Sequence, residues 1–218
     1  MGSNEHAPGL THWWKVDAQG VALLAGVVFG LIAQVLRQIV GPLMDIGAAT
    51  APWVTIGFVI AVWATRKTRP LRTASRTGAW VTATYLFAWL VAYHCLFAVR
   101  ESVGFAAAWR EAAPWLVVAG PAAVVLGFVA ARSHGRGLLG DVCLASPIAW
   151  SAPEIIRSSQ QGWSAGGTVT VVIAAVALVP LVVAARRDVR LVRVALASVL
   201  LGGVALALSP LLLGQIHS

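Results

Sequence analysis

The sequence predicts an all-α polytopic membrane helix bundle of about seven transmembrane helices, with a cytoplasmic N-terminus. Three observations predict it. The 218 residues are 59% hydrophobic and only 11% charged, with a mean hydropathy of +0.81; a soluble domain carries about 25% charged residues. Apolar stretches recur at about the 20-residue length that crosses a bilayer. Basic residues gather in alternate loops, as they do in polytopic proteins. Seven such helices with short loops use up the length, so residues 1–218 read as a single integral membrane domain.

Helix 1 is predicted from Gln19 to Val40, behind an interfacial anchor of Trp13, Trp14 and Lys15. Helix 2 follows from Gly47 to Thr65, helix 3 from Thr77 to Val99 and helix 4 from Pro114 to Ala131. Segment 5, Leu138 to Arg157, is interrupted by Pro147 and Pro153 and carries Asp141 and Glu154 towards its ends. Such residues are tolerated at membrane depth where they face protein or a cavity. Helices 6 and 7, Gly166 to Ala185 and Val194 to Leu213, are almost wholly Val, Ala and Leu and read as scaffold. The first apolar segment is too long for a signal-peptide core and lacks a small-residue cleavage site.

The net charge is +8. In a soluble protein that balance suggests nucleic acid; here it follows from loop topology, and no nucleic-acid partner is expected. Arg66, Lys67, Arg69, Arg72 and Arg76 follow helix 2, Arg132 and Arg136 follow helix 4, and Arg186, Arg187, Arg190 and Arg193 follow helix 6. Together with Lys15 they make twelve basic residues on one side, against Arg37, Arg100, Arg110 and Arg157 on the other. The richer side is cytoplasmic by the positive-inside rule. A re-entrant segment 5 would move the last basic loop outside, which favours seven spans over six. Cys95 and Cys143 lie within predicted helices, with neither disulfide nor metal spacing.

Helix 3 is the most informative segment for function. Tyr85, Trp89, Tyr93, Phe97 and Glu101 recur every four residues and so form one helical stripe, with His94 beside it. An aromatic stripe ending in a carboxylate suits the wall of an elongated apolar pocket with an acid at its mouth. The same aromatics also suit interhelical packing, with Glu101 interfacial. Segment 5 repeats the pattern in Ser146, Trp150 and Glu154, and Arg157 stands one turn beyond Glu154. Gln34, Arg37 and Gln38 on helix 1, and Asp45 and Trp53 around the start of helix 2, add polar and aromatic groups at the same side of the membrane. Intramembrane ionisable groups are candidates for function. Gly26 and Gly30 form a GxxxG spacing, read here as close packing within the bundle rather than a dimer contact.

No HExxH, GxSxG or GxxxxGK[ST] motif is present, nor an aspartate-rich magnesium–diphosphate motif or a glutamate pair of the membrane CAAX-protease kind. No metal and no cofactor is therefore expected. In size, span count and scattered carboxylates and aromatics, the whole chain resembles the small seven-helix integral membrane terpene cyclases of fungal meroterpenoid and bacterial drimentine type. The resemblance implies metal-free, protonation-initiated cyclisation of a lipophilic isoprenoid, a class II-type reaction. It implies Glu101, Glu154 or Asp45 as proton donor and Tyr85, Trp89, Tyr93, His94, Phe97, Trp53, Trp150, Gln34 and Gln38 as cavity residues. A general acid must hold its proton at rest, which burial favours and a neighbouring guanidinium opposes; Arg157 thus argues for an orienting Glu154, and Arg100 weighs slightly against Glu101. The Ala-, Val- and Arg-rich, Lys-poor composition resembles that of actinobacteria and implies a bacterial cytoplasmic membrane. Membrane lipid and a lipophilic small molecule are the expected partners. A small-molecule transport or solute-binding module working with a partner chain fits the same residues, since electron-rich Trp faces also attract cations.

Overall fold

The computed structural model describes residues 17–39, 51–135, 137–147, 151 and 194. Within them the chain is all helical: α1 (Ala18–Gln38), α2 (Ala51–Thr65), α3 (Leu71–Arg100), α4 (Phe105–Arg132) and the short α5 (Leu138–Pro147). Among the described residues, α1, α3 and α4 are long and apolar enough to cross a membrane. At 1.5 Å per residue, even the 21-residue α1 is about 32 Å long, which matches a hydrocarbon core of about 30 Å. Over the described residues the protein is thus an all-helical membrane protein. Segments 6 and 7, Asp45, Trp150 and Glu154 lie outside the described residues, apart from Val194.

Three helix starts differ from those predicted. Helix 1 begins at Ala18, where the Asp17 side chain caps it by accepting from the Gln19 amide at 3.1 Å. Helix α3 begins six residues early, at Leu71, and takes Arg72 and Arg76 out of the basic loop. Arginine is a good helix former and extends its charge to the interface along an apolar stem. Helix α4 begins nine residues early, at Phe105, so that Pro114 is internal rather than initial. The run Ala106-Ala107-Ala108 favours helix, whereas Pro114 removes one backbone hydrogen bond.

The helices alternate in direction. Gly26 of α1 lies against the backbone of Tyr85 and Trp89, and Gly30 against that of Trp89, so α1 and α3 ascend together. Gly78 of α3 meets Gly127 of α4, and Ala83 shares a groove with Gly120, so that pair is antiparallel. Helix α2 runs back between them: Trp53 meets Trp89, Gly57 meets the Tyr85 ring, and Thr65 reaches His134 just beyond α4. The Thr65 hydroxyl and His134 Nε2 are 3.2 Å apart, and His134 Nε2 is 3.0 Å from the Val62 carbonyl oxygen. One end of the bundle therefore carries Arg66, Lys67, Arg69, Arg72, Arg76 and Arg132; the other carries Arg37, Arg100 and Arg110.

Small residues make this packing possible. The buried face of α1 is Ala22, Gly26, Gly30, Ala33 and Gln34, while Leu23, Leu24, Val27, Val28 and Leu31 are exposed. Such an inside-out arrangement is what membrane helices require, because small side chains let backbones approach closely. A core of Phe58, Val81, Tyr85, Leu86, Leu126 and Leu144 joins α2, α3, α4 and α5. A second, aromatic core of Trp53 and Tyr93 around Ala33 lies nearer the Arg37–Arg100 end.

The α3–α4 turn holds an exposed Ser102 at φ 52°, in the left-handed region. An L-residue there costs about 1 kcal/mol, partly offset by the extra unfolded-state entropy of glycine. Ser102→Gly is expected to stabilise the protein by about 0.5 kcal/mol, read as a higher unfolding midpoint in detergent. A lower midpoint would mean that Ser102 makes contacts that outweigh its conformation.

Candidate functional site

The α3 stripe divides in two. Tyr85 is completely buried and belongs to the central core, with its ring against Gly57. From Trp89 onwards the side chains form an aromatic column. Trp53 of α2 stacks on Trp89 with centroids 6.4 Å apart and planes 29° apart, and Trp89 stacks on Tyr93 at 5.4 Å and 23°. His94 meets Tyr93 edge-on at 5.1 Å and Phe97 at 6.3 Å. These spacings lie in the favourable range for aromatic pairs. Phe29 of α1 extends the column to Trp53 at 6.1 Å.

Among the described residues, buried polar atoms without partners lie on this column and on the buried face of α1. Gln34 is 1% exposed, and Trp53 and His94 are each 4% exposed. Among the described residues, Gln34 Oε1, Trp53 Nε1, Trp89 Nε1 and His94 Nδ1 have no hydrogen-bond partner. An unpaired buried polar group costs about 1–3 kcal/mol, so each needs an explanation such as a bound molecule. The set combines indole N–H donors with an amide acceptor.

The column ends in a charged mouth. The Arg37 guanidinium donates to the Tyr93 hydroxyl at 2.5 Å. Arg100 donates to Gln38 Oε1, and Gln38 Nε2 donates to Glu101 Oε1 at 3.2 Å. The Glu101 carboxylate is exposed rather than sunk into the stripe, because Glu101 caps α3 instead of continuing its body. The structure thus brings together Gln38, Trp53, Trp89, Tyr93, His94, Phe97 and Glu101, leaves Gln34 on the buried face of α1, and sets Tyr85 apart.

Three residues outside the predicted proton donors and cavity residues join the site. Arg37 ties α1 to Tyr93, and Phe29 pairs with Trp53. Their signal was the spacing Phe29-Ala33-Arg37, a four-residue stripe facing that of α3. Glu111 of α4 acts electrostatically on both Arg37 and His94. Reading α4 from Pro114 leaves Glu111 in a loop; the early start at Phe105 puts it in the helix. Among the described residues, no three His, Cys, Asp or Glu side chains gather as a metal site.

No protein-family model, curated protein or solved structure matches the chain. Its class therefore rests on its own helices and side chains: a membrane protein, helical throughout the described residues, with a buried aromatic column and a charged mouth.

Proposed function

We propose that the protein is a membrane-embedded, class II-type terpene cyclase that cyclises a lipophilic isoprenoid by protonation, without a metal. The observation that supports this reading is the column of Trp53, Trp89 and Tyr93, edged by unpartnered polar atoms and ending beside carboxylates. Glu101 and Glu111 are both exposed in the free protein, so on this reading substrate covers one of them, excludes water and favours its protonated form before that carboxylic acid gives its proton to a terminal alkene or epoxide. The chain closes as the charge migrates over the aromatic faces, which attract cations. Loss of a proton to carboxylate or water then restores a neutral product. Alkene cyclisation is an isomerisation in which hydrogen from solvent enters the product. Glu154 and Asp45 remain proton-donor candidates, and Trp150 a candidate wall, from the sequence.

The finer topology belongs to the same proposal: seven spans in a bacterial cytoplasmic membrane, with the basic loops and the N-terminus in the cytoplasm. The charged mouth then faces outwards. Glu101→Gln is expected to abolish turnover with expression intact, and Glu111→Gln tests the carboxylate of α4 in the same way. Full turnover in both variants removes both groups as the acid.

A transport or solute-binding module is the second reading. The exposed Glu101, held by Gln38 and through it by Arg100, favours this reading, since the carboxylate is engaged at an open surface. Net uptake of solute into vesicles would support it. A mass-neutral rearrangement of substrate would support the cyclase.

A further inference from the structure

A second surface lies at the opposite, basic end of the bundle. Between α3 and α4 runs an apolar groove of about 420 Å³, floored by Ala79, Ala83 and Gly120 and walled by Trp80 and Phe128, with Arg76 at its end. The stretch from Arg76 to Ala83 spans about 10 Å along the helix. Trp80 is 63% exposed, one turn above Arg76 on the same face. Arg76 is exposed and has neither ion-pair nor hydrogen-bond partner among the described residues. Arg72, one turn below, adds charge on the same face, and Arg69 and Lys67 stand in the adjoining loop.

We infer that this groove is a binding site for an anionic glycerophospholipid. One acyl chain lies along the small-residue floor under Trp80 and Phe128. The phosphate sits on Arg76, with Arg72 behind it. Charge selects the occupant: apolar walls alone take any lipid, whereas a free guanidinium at the end of the groove favours an anionic headgroup. Trp80 fits the same placement, because its amphipathic ring suits the boundary between chain and headgroup. Gly120 keeps the floor open, since a Cβ added there meets nothing within 4 Å.

The test is native mass spectrometry of the detergent-purified chain, titrated separately with phosphatidylglycerol and phosphatidylcholine of identical acyl chains. Phosphatidylglycerol is expected to bind about five-fold more tightly, the ratio given by about 1 kcal/mol for one basic residue at an anionic headgroup. Arg76→Gln should abolish that preference while leaving phosphatidylcholine unchanged. Gly120→Leu, which fills the floor from open space, should weaken both lipids. Glycerol 3-phosphate alone should displace neither. Equal binding of the two lipids to the unaltered chain, a preference that survives Arg76→Gln, undiminished binding to Gly120→Leu, or displacement by glycerol 3-phosphate would each overturn the inference.

Discussion

Gly127→Leu is expected to unfold the bundle. A Cβ at this position would fall on the backbone nitrogen and Cα of Ala79 and on the carbonyl carbon of Gly78. These are backbone atoms, so no rotamer change relieves the overlap; α3 and α4 must separate. Overpacking a core typically costs about 1–3 kcal/mol, and displacing two long helices places this case at or above the upper end. The reciprocal contact is also tight, because a Cβ on Gly78 would lie 2.8 Å from the Gly127 carbonyl oxygen. Gly120, on the same helix, is the control. With open space around it, Gly120→Ala should raise stability by about 0.5–1 kcal/mol through helix propensity alone. The check is the thermal unfolding midpoint of both variants in detergent. A folded Gly127→Leu with an unchanged midpoint would contradict the close α3–α4 approach.

Gln34→Leu is expected to raise stability and destroy function. Its amide oxygen is buried against the face where α1 meets α3 and has no partner in the described structure. Replacing it with an apolar group of similar length removes a desolvated acceptor worth about 1–3 kcal/mol. If that acceptor serves a ligand, turnover or binding should fall at least ten-fold, equivalent to about 1.4 kcal/mol. The two readouts move in opposite directions, which separates a functional polar group from a packing one. A variant both less stable and less active would mean that Gln34 supports the fold.

The membrane class and the alternating directions of α1 to α4 were legible in the sequence, because both rest on long apolar runs and on the alternation of Arg-rich loops. Helix starts were less so. A hydropathy reading stops at the first charge, yet Arg72 and Arg76 lie on helix α3, and Pro114 marks an interior position of α4 rather than its first turn. That misplaced start hid Glu111. The α3 aromatic stripe was legible from its four-residue spacing, but spacing on one helix cannot say which neighbour covers which turn. Gly57 of α2 draws Tyr85 into the central core, whereas Trp53 takes up the next turn at Trp89. The role of Gln34 was legible only as a polar residue on a buried face; its unpartnered oxygen is a property of the assembled bundle.

The most direct test of the proposed function uses heavy water. Membranes containing the protein are incubated in deuterium oxide with farnesylated and geranylgeranylated acceptors, and the products are read by mass spectrometry. Cyclisation initiated by protonation of an alkene carbon predicts a product isomeric with its substrate apart from a single carbon-bound deuterium, absent in Glu101→Gln if Glu101 is the acid and in Glu111→Gln if Glu111 is. Recovery of every substrate unchanged and unlabelled, from protein that is folded in the membrane, would contradict the cyclase reading and leave binding or transport as the use of the column.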